Sequence, residues 1–125
     1  MRYTIQNNLG HGGFAQVDRA YDAQTNSFVA LKIYDPVSAV LNYVDTVTLK
    51  RRFVREVQYQ SGLIHPNVVR ILDSHLENDP PCFTMPLALC TLNDELRINP
   101  TLGVNLNTAL FNILSGLEFL HNSGY

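Results

Sequence analysis

The alternation of apolar and polar positions changes period twice along the chain. Early on, Ala15, Val17, Arg19 and Tyr21 fall on one face of a two-residue repeat, the turn-forming DAQTNS (Asp22 to Ser27) follows, and FVALKIY (Phe28 to Tyr34) is rich in strand formers. With the glycine-rich LGHGGFAQV (Leu9 to Val17) joining an earlier strand to the second, this predicts an antiparallel meander. From about Thr46 the repeat lengthens: Leu49, Phe53, Glu56, Gln60 and Leu63 recur at helical spacing, with Val54, Val57 and Ile64 beside them. HPNVV stops that helix, because Pro66 disfavours its continuation. VVRILD (Val68 to Asp73) and CFTMPLAL (Cys82 to Leu89) predict two further strands, separated by the ENDPP turn. In NLNTALFNILSGLEFLHNSG, Leu106, Leu110, Ile113, Leu117 and Leu120 make one helical stripe, and Gly124 is placed to end it. The expected order is three strands, a helix, two strands and a helix.

Composition narrows the function classes. The 125 residues are 46% apolar and 16% charged, which fits a globular chain with one modest core. Nine basic and eleven acidic residues leave a net charge of −2, so no nucleic-acid partner is expected. The opening MRYTIQNNLG has no secretory apolar region and no run is long enough to span a membrane, so none is expected in this segment. Cys82 and Cys90 match no zinc spacing; two free thiols suit a reducing compartment, and a cytoplasmic location is the expectation. His11 is expected to project from the glycine loop and His65 to fix the chain beside Pro66, while His75 and His121 lack a paired ligand at metal spacing, so no metal site is expected on the histidines. Lys50, Arg51, Arg52 and Arg55 are expected on the wet side of the helix.

Three glycines between Leu9 and Val17 leave the backbone bare enough for a phosphate to approach its N–H groups. A dinucleotide fingerprint needs a helix after the glycines, yet the residues after Gly13 alternate like a strand. A Walker-type phosphate loop needs a lysine and a hydroxyl that Ala15 and Gln16 do not supply. Two readings stay open: a hairpin of the G-x-G-x-x-G-x-V kind, in which Gly10, Gly12 and Val17 hold their places and Ala15 replaces the third glycine, or an ordinary glycine-rich turn.

VALK places Lys32 between Leu31 and Ile33 in an apolar strand, where an unpaired ammonium is costly. Phosphate and carboxylate are suitable partners, unless the strand lies at an edge and Lys32 faces water. The candidate carboxylate is Glu56, whose helical neighbours Phe53 and Leu63 suggest an inward face and a buried Lys32–Glu56 pair. Arg52, four residues earlier, is its rival partner on a solvated face.

Together these segments resemble the protein kinase family. LGHGGFAQV matches its glycine-rich loop and VALK its lysine strand. RFVREVQYQSGLIHPNVVRIL is similar to the regulatory helix and fourth strand, FTMPLA to the fifth strand entering the hinge, and ILSGLEFLHNSGY to the long helix before the catalytic loop. The resemblance implies an α+β fold: a five-stranded antiparallel sheet with one regulatory helix, then a hinge and a long helix of a truncated helical lobe. Residues 1–88 would be the N-terminal lobe and hinge, and 89–125 the start of the C-terminal lobe.

The resemblance implies ATP binding by Leu9, Gly10, His11, Gly12, Gly13, Phe14, Val17, Ala30, Lys32, Met85, Pro86, Leu87 and Ala88, with Glu56 supporting Lys32 as an ion pair. Met85 would be the gatekeeper, Pro86 to Ala88 the hinge, and Val17 and Ala30 the cover of the adenine ring. Core packing alone would also explain those apolar residues. Cys90 follows the hinge and is expected to be a quiet buried thiol. Gln60 departs from the apolar residue usual one turn after the glutamate.

No H-R-D or D-F-G segment occurs in the 125 residues, so neither the catalytic aspartate nor the Mg2+ ligand of the family is present. Asp73 and Asp94 sit at a strand end and a polar helix start. The expectation is the ATP side of a protein kinase, serine/threonine-directed, inactive alone and a fragment of the complete enzyme, with protein substrate reached only through the missing lobe. An alternative is a non-catalytic pseudokinase-like module that binds a protein partner on the Leu106–Leu120 face. A third reading is a small α+β protein without a nucleotide site.

Overall fold

The computed structural model describes residues 1–125. Strands β1 (Tyr3–His11), β2 (Ala15–Asp22) and β3 (Ser27–Tyr34) form the expected meander. A short helix α1 (Ser38–Leu41) and the longer α2 (Thr46–Ser61) follow, then β4 (Asp73–His75) and β5 (Cys82–Pro86). The five strands form one antiparallel sheet in the order β1-β2-β3-β5-β4. Helix α3 (Leu92–Ile98), a 3-10 turn (Gly103–Asn105) and α4 (Leu106–Asn122) complete the chain. No helix is long and apolar enough to cross a membrane.

The chain divides into two compact units, one of residues Met1–Leu63 with Arg70–Leu87, the other of Ile64–Val69 with Ala88–Tyr125. In the first unit each face of the sheet carries an apolar cluster, which the strand pairing explains. Val17 lies opposite Lys32, Lys32 opposite Phe83, and Ala30 opposite Met85, so these residues share one face. On that face Ala15, Tyr34 and Phe83 pack with Leu49, Phe53 and Val57, the inward row of α2. The Phe53 ring lies 5.7 Å from Tyr34 and 5.8 Å from Phe83, so three aromatic residues fasten helix to sheet. Asp45 caps α2 by accepting from the Thr48 amide at 2.9 Å, which holds its carboxyl below the usual range.

Ala20, Val29, Leu31 and Cys82 make a second cluster on the other face. Two buried carboxylates lie there, and neither lacks a partner. Asp18 accepts from Asn8 and Gln16, while Asp22 accepts from both ends of the Arg2 guanidinium at 2.9 and 3.0 Å. Arg2 also reaches Asp73, so one cation ties β4 to the β2–β3 turn, and its hydrogen bonds hold the Asp22 carboxyl well below the ordinary carboxylate range.

Two strand boundaries differ from the sequence pattern. VVRILD is not a strand over its length: β4 begins at Asp73, and only Leu72 before it reaches β5, through its amide to Thr84 O at 2.8 Å. The run serves two packing tasks, since Val68 and Val69 belong to the second unit while Ile71 packs on the first unit's core. CFTMPLAL ends as a strand at Pro86, which has no N–H to continue the ladder. Helix α1 is an addition to the expected order, and α3 supplies the polar helix start expected at Asp94. Asp94 stands in the first turn of α3, where it and Thr91 form a reciprocal capping box.

In the second unit α4 ends as expected. Gly124 has φ +93°, the Tyr125 amide bonds Leu120 O at 3.0 Å, and the Gly124 amide bonds His121 O at 3.2 Å, a Schellman close. The turn at His65 packs on this helix: the His65 and Phe119 rings stack at 4.8 Å, and a Cβ on Gly116 would come within 2.6 Å of Asn67 O.

Candidate nucleotide site

A cavity of about 310 Å³ opens in the first unit between the glycine-rich hairpin and α2. Gly12, Gly13, Phe14, Ala15 and Val17 line it from the hairpin, Lys32 from β3, and Leu49, Arg52, Phe53 and Glu56 from α2. Its volume is at the small end of ligand pockets, enough for the anionic end of a nucleotide. Two cations and one carboxylate border it, so the side-chain charge favours an anion.

Lys32 does not face water from an edge. Its strand is the middle one of five, flanked by β2 and β5, and its ammonium lies 5.9 Å from the centre of the Phe83 ring. Glu56 borders the same cavity, so α2 brings the acid to the side of the sheet that carries the lysine. The expected buried pair is nevertheless not closed. Glu56 is exposed, and neither it nor Lys32 takes part in the molecule's ion pairs. The physical reason is register on α2: Leu49, Phe53 and Val57 take the inward row, and Glu56 comes at its margin, where water competes with the ammonium. Arg52, expected on the wet side, is exposed as well, yet also borders the cavity. Its position one turn before Glu56 was the available signal, since residues four apart share a helix face.

Of the other expected site residues, Gly10 pairs with Val17 across the hairpin, and Leu9 is exposed on β1 beside it. His11 does not line the cavity, and its Nε2 lies 2.8 Å from Asp35 Oδ2. Ala30 is buried and opposite Met85, on the sheet face that carries Val17 and Lys32. Pro86 ends β5, Leu87 closes the first unit and Ala88 begins the second. The cavity thus gathers Gly12, Gly13, Phe14, Val17 and Lys32, and the sheet adds Ala30 and Met85 to their face. Asp35 was missed, because nothing in the sequence links it to a histidine 24 positions away (35 − 11).

Cys90 is exposed, not buried. Its thiol donates to Glu95 Oε1 at 3.3 Å, and this carboxylate pushes the thiol pKa up, so it remains a poor nucleophile at neutral pH. Burial likewise pushes up the Cys82 thiol. No group of three His, Cys, Asp or Glu side chains converges as a metal cage.

The family model of the protein kinase domain matches residues 3–125. Among similar curated proteins is cyclin-dependent kinase F-3 of Oryza sativa subsp. japonica, 29% identical over 99% of this chain and 28% of its own length. Serine/threonine-protein kinase PknD of Chlamydia pneumoniae is 39% identical over 68% of this chain and 9% of its own length. The DNA damage-responsive serine/threonine-protein kinase RqkA of Deinococcus radiodurans is 42% identical over 69% and 12%. The chain therefore spans under a third of these relatives. Protein kinases as a family use ATP, with Mg2+, to modify protein substrates. The ordered hairpin, lysine strand and helix, together with the match over residues 3–125, show that this chain belongs to the protein kinase family.

Proposed function

We propose that this chain is the ATP-binding portion of a protein kinase that transfers the γ-phosphate of ATP to serine or threonine hydroxyls of proteins. One observation carries the reading: Gly12, Gly13, Lys32 and Glu56 border a single cavity. Phosphoryl transfer rests on positioning and charge neutralisation, and these residues supply the ATP-side share of both. The bare hairpin lets phosphates approach backbone N–H groups, and Lys32 neutralises them. Glu56 swings from its exposed position to orient Lys32 once an anion draws the ammonium forward. Val17, Ala30 and Met85 make the apolar surface for adenine, with Pro86, Leu87 and Ala88 as hinge.

We assign residues 1–88 to the N-terminal lobe and hinge and 89–125 to the start of the C-terminal lobe. When bound, Mg2+ would neutralise charge on the phosphates, and no group of three His, Cys, Asp or Glu side chains of this chain converges to hold it. Without an H-R-D aspartate no group takes the substrate hydroxyl's proton, and the 125 residues alone do not transfer phosphate.

The test is calorimetric binding of ATP, ADP and adenosine to the full chain. ATP and ADP are expected to bind more tightly than adenosine, and Lys32→Ala to lose that advantage, roughly ten- to a hundredfold. Equal affinities for all three, or no binding, overturn the reading. A protein partner captured through the Leu106–Leu120 face without nucleotide binding would favour the non-catalytic module.

A further inference from the structure

The hairpin tip is tied to the chain that follows β3. The Asp35 amide donates to Phe14 O at 2.9 Å, the Val37 amide to Gly13 O at 3.0 Å, and His11 Nε2 meets Asp35 Oδ2 at 2.8 Å. The other ring nitrogen, Nδ1, lies 2.6 Å from Gly12 O. Both partners of the ring are acceptors: a carbonyl oxygen and an ionised carboxylate have no proton to give. Making both contacts therefore requires an N–H on each nitrogen, which only the imidazolium has. The neutral ring turns a lone pair on one of the two oxygens and gives up that bond.

We propose that His11 and Asp35 form a proton-dependent latch, and that His11 is a positioning residue which fastens the glycine-rich hairpin for nucleotide binding. The nucleotide half of this inference rests on the function proposed above; the latch itself does not. Across the hairpin His11 is in register with neutral Gln16, and past β3 it meets Asp35, the one charged group that acts on its ring. Asp35 first, and then Gly12 O, raise the imidazole pKa above its ordinary 6.5. The sign follows: while the Asp35 carboxyl is ionised, the stability that the latch lends is fully present below 6.5 and is lost as pH rises through the raised value. A hairpin already held in place has less freedom to lose when a nucleotide binds, so the latched form binds more tightly.

Two measurements on the full chain test this. The first is an NMR titration of the His11 ring and the Gly12 and Gly13 amides. In the wild type the ring should titrate above 6.5 with both amides following its midpoint. In Asp35→Asn the midpoint should fall and the amides should cease to follow. A His11 midpoint at the ordinary value, or amides indifferent to it, overturns the latch whatever the protein binds.

The second measurement is the affinity for a non-hydrolysable ATP analogue across the imidazole range. The analogue's own terminal phosphate titrates there too, so wild type is read against Asp35→Asn and His11→Gln at each pH. The wild type should bind about threefold more tightly at the acid end, a small effect proper to exposed groups, and converge with both variants at the alkaline end. Parallel profiles overturn the positioning role. An intact NMR latch in a chain that binds no nucleotide overturns the proposed function and leaves the latch standing.

Discussion

The two compact units hold similar apolar sequence and treat it differently. In the first, strand alternation gives the sheet two apolar faces, one closed by Leu49, Phe53 and Val57 of α2 and the other carrying Ala20, Val29, Leu31 and Cys82, with Tyr3 and Ile33 packed against them. In the second, Gly116 is the single buried residue of α4. Leu106, Leu110, Ile113 and Leu117 are exposed along the expected stripe, and Phe111 and Leu114 are exposed outside it, at 71% and 64%. A helix apolar on several sides calls for cover on several sides, which the seven residues of α3, none of them buried, do not provide. The contrast teaches that apolar content does not make a core. The first unit has a helix to cover the row of Ala15, Tyr34 and Phe83, whereas α4 has no such cover for its several apolar sides.

The largest expected effect would break this comparison if it failed. Phe53→Ala removes the ring that joins Tyr34 to Phe83 and leaves a hole between helix and sheet. A loss of about 3–5 kcal/mol is expected in urea unfolding followed by far-UV circular dichroism. A loss under about 1 kcal/mol would mean that the first unit does not depend on its α2 interface.

Which parts of this were legible in the sequence follows the same physics. The meander, α2 and α4 could be read because each repeats one local rule over many residues, in period two or in period 3.6. The sheet face that carries Val17, Ala30, Lys32 and Met85 follows once the strands pair, so the cavity's lysine and glycines were found. What escaped depends on tertiary detail. VVRILD has the composition of a strand, yet Val68 and Ile71 pack in different units, which no local pattern encodes. The side of α2 was right for Glu56, but its depth was not, since exposure turns on about one position of helix phase. His11–Asp35 joins residues without a shared periodicity, and Arg2 with Asp22 and Asp73 does the same on the opposite face.

A middle-sized effect sharpens the comparison from the second unit. Although α4 covers little apolar surface, its contact with the His65 turn is tight at one point. Gly116→Ala would set a methyl 2.6 Å from Asn67 O, a backbone atom that cannot swing aside. The expected cost is about 1–3 kcal/mol, reduced by the roughly 0.5–1 kcal/mol that alanine returns to a helix interior. Thermal unfolding together with the NMR signals of His65 and Phe119 checks it. A stabilised variant with both rings unmoved would show that the turn and α4 are not in close contact.

The smallest effect is the most discriminating. Leu114→Gln exchanges two residues of similar helix propensity, so the change reports burial and little else. At 64% exposure, only about a third of the side chain's burial free energy is at stake, about 0.5–1 kcal/mol. If the variant instead costs as much as Phe53→Ala, something covers α4 in solution. Dilution then separates two causes: a covering second copy makes the unfolding midpoint rise with protein concentration, whereas cover from within the chain does not. A cost below 1 kcal/mol at every concentration keeps the two units distinct, one with α2 closed on a face of its sheet and one open on the sides that Leu114 and Phe111 mark.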